Sequence, residues 1–210
     1  MRNAYILLII CITSCKDSSI TNRTIKLNDH LGTVSVDLPN EFCAFHKWVS
    51  TDCTMNGDEV YYRWQASNYP MTQETSDFIW PDSILAFTLI HNRLHRDGIA
   101  NGSSSGELGR GFLNLMKLNN PRVITIEVDS LTNLFGQRFC FFISSDSITQ
   151  ALKKSMSVSP LKTKEYKLSA FTVYNGVAFK FIFQAPSCLN SKRDFEEKAI
   201  EILRTIHFTN

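Results

Sequence analysis

The chain has 210 residues, 43% of them hydrophobic and 20% charged, which is globular rather than disordered composition and enough for one domain with a real core. Its formal net charge is +2. That balance excludes the strongly basic surface that nucleic-acid binding or polybasic membrane attachment requires.

The first fifteen residues read MRNAYILLIICITSC. Arg2 supplies a small positive region, and Ala4–Ile12 is an apolar run of nine. A spanning helix needs about 20 such residues, so the run is the core of a signal peptide and not an anchor. The segment Ile12-Thr13-Ser14-Cys15 resembles the lipobox of bacterial lipoproteins, in which a cysteine becomes the lipidated first residue. The resemblance implies a signal peptide over 1–14, lipid on Cys15 and a lipidated tether over 15–22. It also implies a place in the bacterial cell envelope. Lys16 stands where inner-membrane retention favours Asp, which directs the expectation to the outer membrane. Lys16-Asp17 is similar to the surface-export tag of Bacteroidetes lipoproteins.

A single domain is expected over 23–210. Thr24–Leu27 and Thr33–Leu38 alternate apolar and polar residues around the turn-rich NDHLG, which predicts a hairpin stopped by Pro39. Residues 40–48 read as a short helix with Phe42, Phe45 and Trp48 partly inward. Glu59–Gln65 and Ile84–His91 are rich in aromatic and branched residues and read as strands. Residues 97–111 hold five glycines and a run of three serines and read as a loop, with a helix expected from Glu107 or Gly111 to about Leu118. Val123–Val128 and Arg138–Ile143 form a further strand pair, with a helix expected over 146–156. YKLSAFTVYNGVAFKFIFQ is two alternating runs joined at Asn175-Gly176, the strongest short hairpin signal. In the last segment, Phe195, Ala199, Ile202, Leu203 and Ile206 recur at helical spacing after Ser191, a capping residue. The order of elements predicts an α+β layer fold.

GTVSVDLPNEF, AFTVYNGVAFKFIFQ and FEEKAIEILRTIHF together resemble the α/β/α sandwich family of photosystem PsbP proteins, the Ran-binding Mog protein and DcrB-like bacterial lipoproteins. The resemblance implies a central antiparallel sheet flanked by helices on both faces. It implies no single function, because members serve as assembly factors, binding modules and lipoproteins.

With Cys11 in the leader and Cys15 lipidated, Cys43, Cys53, Cys140 and Cys188 remain as disulfide candidates. Of the three connectivities, Cys43–Cys53 with Cys140–Cys188 is favoured; free buried thiols are the alternative. Gly102–Gly106 matches GxSxG with Ser104 at its centre, but no strand precedes it, so a flexible loop explains it. His91 and His95 are four apart without the glutamate of HExxH, and read as strand-end or surface residues. No catalytic residue, metal site or cofactor is assigned. Tyr61, Tyr62, Trp64, Tyr69, Phe78 and Trp80 form an aromatic cluster, in which Tyr61, Arg63 and Gln65 fall on one strand face and Tyr62 and Trp64 on the other. The expected function is a non-enzymatic, envelope-anchored lipoprotein that binds the membrane through its lipid and a protein through its domain, with no nucleic-acid partner. The alternatives are a hydrolase using Ser104 in the 97–111 loop and a metal-binding lipoprotein using His91 and His95.

Overall fold

The structure is a computed structural model. It describes residues 19–54, 57–68, 85–92, 110, 111, 114, 124–125, 129–147, 164–186 and 191–210. Among these described residues eleven strands and one bounded helix run in chain order. They are β1 (Ile20–Lys26), β2 (Thr33–Pro39), β3 (Ala44–Thr54), β4 (Gly57–Ser67), β5 (Ala86–Asn92) and β6 (Ile124–Thr125). Then come β7 (Asp129–Thr132), β8 (Arg138–Ser147), β9 (Lys164–Tyr174), β10 (Val177–Pro186), α1 (Lys192–Thr205) and β11 (His207–Thr209).

The strands build two antiparallel sheets. The small one has the order β1-β2-β11, so the last strand pairs beside the second. The main one has the order β3-β4-β5-β10-β9-β8-β6, with β7 also paired to β8. The first hairpin turns through left-handed backbone at Asp29, His30 and Gly32. Gly32 is obligatory twice over: its φ is +81°, and a Cβ there would lie 2.0 Å from the Thr209 carbonyl oxygen of β11. The β9–β10 hairpin turns at Asn175 (φ 49°) and Gly176 (φ 76°), as Asn-Gly predicts.

The core lies between one face of the main sheet and a layer made of the small sheet and α1. Alternation fixes its members. In β2, Val34, Val36 and Leu38 point inward, and the intervening residues are half-buried. Across the main sheet, register lines up Ala66, Phe87, Phe183, Leu168 and Ile143 in one buried row. The next row is Trp64, Leu89, Phe181, Ala170 and Phe141. α1 adds Phe195, Ala199, Ile202 and Leu203. Its start is set by Ser191, whose Oγ accepts from the Asp194 N–H at 3.2 Å. Asn133 ties the layers together: its Nδ2 donates to the Ile206 carbonyl, and its Oδ1 accepts from the Phe135 and Gln137 N–H groups.

The α/β/α sandwich expectation is corrected. Among the described residues the chain is predominantly strand, with one bounded helix rather than a sheet flanked by helices. Two causes are visible. Residues 44–48, expected as helix, belong to the eleven-residue strand β3. Asp146 and Ser147, expected to open a helix, extend β8 instead. Arg110, Gly111 and Asn114 are helical, where a helix is expected from Glu107 or Gly111 to about Leu118, and the remainder of the 146–156 helix lies outside the described residues. The hairpins and the closing helix stand where the sequence places them, with β1 beginning at Ile20 inside the expected tether.

Candidate functional site

Among the described residues strand β3 is the terminal strand of the main sheet, pairing with β4 through eleven residue pairs from Ala44↔Ser67 to Thr54↔Gly57. An outer strand presents unpaired N–H and C=O groups, and natural proteins usually shorten, twist or cover it. This one is long and carries apolar residues outward: Phe45 is 42% exposed and Val49 50% exposed.

Its side chains are held in place from below. The Phe45 ring stacks on Trp64 at 5.7 Å between centroids, and Trp64 meets Phe87 of the core edge-on. The Arg23 guanidinium of β1 lies 4.4 Å from the Phe45 ring centre. Lys47 Nζ donates to Asn28 Oδ1 at 2.9 Å, and Arg63 Nε donates to Ser50 Oγ at 3.1 Å. On the other strand face, His46 and Trp48 lie 5.2 Å apart. The edge is therefore preorganised, and its first half is basic, through Lys47 with Arg23 beside it. What such an edge does chemically is accept a further strand by backbone hydrogen bonding, with alternate side chains giving selectivity.

A second feature is the row on the opposite sheet face, Arg63, Ile90, Lys180 and Phe171. Lys180 Nζ lies 5.7 Å from the Phe171 ring centre. Burial pushes its amine down to about 7, and the charges of Lys167 and Arg63 act in the same direction. In the adjacent row Gln65 Nε2 donates to Thr88 Oγ1 at 2.9 Å, and the buried Ser169 Oγ has no hydrogen-bond partner among the described residues.

The residues singled out in the sequence are distributed as follows. Cys15, Ser104, His95, Cys188, Tyr69, Phe78 and Trp80 lie outside the described residues. Cys43 is an exposed free thiol, and Cys140 is a buried free thiol whose pKa burial pushes up. A Cys43–Cys53 bridge within the chain is corrected, because the two residues bracket β3 at opposite ends. Ten residues of extended strand separate them by roughly 33 Å, whereas a disulfide needs Cα atoms within about 7 Å. The Cys140–Cys188 pairing falls on Cys188, outside the described residues. His91 is buried in β5 between Tyr62 and Phe179, at 5.1 and 5.3 Å, and is not a surface residue. Tyr61 and Arg63 alternate with Tyr62 and Trp64 across β4, as the pattern implies. Among the described residues no three His, Cys, Asp or Glu side chains gather in a metal-binding group. The cavity between α1, β10 and the end of β2 measures about 40 Å³ and is lined by apolar groups such as Phe42, Phe183 and Phe195.

Sequence reasoning missed the β3 edge. The signal was present in AFHKWVST, whose residues alternate between two faces, but aromatic residues at spacing three imitate a helical stripe.

No family profile and no curated protein matches the chain. Among solved structures it is similar to the solution structure of cyanobacterial PsbP (CyanoP) from Synechocystis sp. PCC 6803. Identity is 10%, over 93% of this chain and 96% of that one, with a TM-score of 0.44.

Proposed function

We propose that the chain is a lipid-anchored, non-enzymatic binding module of the bacterial cell envelope, held to the outer membrane through Cys15 and engaging a protein through the free edge of β3. The observation that carries the reading is this edge: a long outer strand with exposed Phe45 and Val49, buttressed by Trp64 and Arg23. The leader supports the location. β1 begins at Ile20, five positions after Cys15, so the domain stands within about 17 Å of its lipid even with the linker fully extended. A partner must then lie at the same membrane surface.

Two measurements test the reading. Labelled fatty acid enters the wild type and not Cys15→Ala; incorporation into both, or neither, refutes the anchor. A photo-crosslinker placed at position 49 yields a defined protein adduct in envelopes, whereas one at the exposed Glu201 of α1 does not. Equal adducts at both positions, or none at 49, refute the edge as the contact.

A further inference from the structure

The chain from Cys15 reaches the domain at a fixed point. The Asn40 N–H donates to the Ser19 carbonyl at 3.0 Å, Asn40 Nδ2 donates to Ser19 Oγ, and Thr21 Oγ1 donates to Asn40 Oδ1. Ile20 stands opposite Pro39 in the β1–β2 ladder and is 67% exposed. Pro39 also lines the apolar cavity beside α1, together with Phe42, Leu85 and Phe195. An exposed aliphatic side chain and an apolar cavity thus share the end of the domain at which the lipid-bearing segment arrives. We propose that this end is a membrane-docking surface, with Ile20 and the mouth of the cavity set against the acyl region of the bilayer that holds the lipid on Cys15. The inference rests on the lipid anchor of the functional reading above and gives the domain itself a second, non-covalent contact with the same membrane.

Reach selects this end. Four positions separate Cys15 from Ser19, a span of at most about 14 Å when fully extended. Phe42 leads into Ala44, whose row across the main sheet runs through Ser67 and Ala86 to Gln184. From Gln184, β10 runs back seven positions to Val177 at the other end of the sheet, about 23 Å away. The turn after β7 belongs to that far end, because Gln137 Nε2 donates to the Val173 carbonyl at 3.1 Å, and Val173 stands opposite Ala178. Leu134 of this turn is 83% exposed, more than Ile20. Exposure alone would therefore turn the far end toward lipid, whereas the short tether turns the Ile20 end.

The contact is apolar rather than electrostatic. On α1, Lys192 pairs with Glu196 at 3.6 Å and Arg193 with Glu197 at 2.8 Å. Glu41 and Lys198, of opposite sign, both line the cavity. Cations paired in this way leave little attraction for anionic headgroups, and removal of Ile20 and the cavity mouth from water supplies the favourable free energy.

Lipid cross-linking from chosen positions is the test. The mature lipidated protein carries a photo-reactive benzophenone amino acid at position 20, 198 or 134, all exposed, and is reconstituted into phosphatidylcholine vesicles. After irradiation, intact-protein mass spectrometry measures phosphatidylcholine adducts. Positions 20 and 198 give about ten times the yield of position 134, about the preference that burial of one exposed aliphatic side chain confers. Comparable yield at 134, no adduct at 20 or at 198, or a cross-link to a second copy in place of lipid overturns the proposal. A yield that collapses in high salt also overturns it, because screening weakens a headgroup contact and spares an acyl one. The same spectra report acylation of Cys15. An unacylated chain refutes the anchor and this contact with it, whereas an acylated chain without adducts at 20 refutes the contact alone.

Discussion

Lys180 gives the folded state a defined pH dependence. Its amine falls from an ordinary 10.5 to about 7, chiefly through burial. Between these values the unfolded chain binds a proton that the folded chain does not, so stability rises with pH through this window and is lost as pH falls toward 7. A shift of this size corresponds to about 5 kcal/mol, at about 1.4 kcal/mol per pH unit. Lys180→Met keeps the side-chain volume and removes the titration. The stability of the variant relative to wild type therefore falls by several kcal/mol between pH 7 and pH 10. Urea unfolding of both proteins at pH 7, 8, 9 and 10 checks this, because other titrating groups cancel in the difference. A difference that stays constant across the four pH values, or grows with pH, refutes the reasoning.

Three further outcomes are expected. Gly32→Ala loses about 2–4 kcal/mol in urea melts, since the new Cβ meets the Thr209 carbonyl in a left-handed conformation. Asn133→Ala loses about 2–4 kcal/mol in the same measurement, because the Ile206 carbonyl and two turn N–H groups lose their partner. In the reduced native protein at pH 8, a maleimide modifies exposed Cys43 rapidly and Cys140 only on unfolding, as mass spectrometry of the peptides reports.

Local patterns carried much of the fold. Asn175-Gly176 requires two residues that tolerate positive φ, and Ser191 with the stripe from Phe195 to Leu203 defines α1; neither depends on distant contacts. β3 was illegible for a physical reason. Phe42, Phe45 and Trp48 recur every third residue like a helix face, yet Phe42 sits in a turn after β2, and Phe45 and Trp48 stand on opposite faces of the strand. Period three over seven residues does not separate the two structures; long-range pairing with β4 decides. Lys180 shows another limit: the alternation in VAFKFIF states only which residues share a face, not whether that face is covered.

The place of β11 governs when the molecule can form. β2 lies at the centre of the small sheet, and its partner Thr209 is 176 positions from Thr33. Contacts of that separation are slow to find, and the small sheet closes only after the final residues are available. A chain in which β11 has not yet paired holds Val34 and Val36 without that part of their cover. Completion of the core is thereby coupled to the docking of β11, and a truncation of that strand acts on folding rate as well as on the folded state.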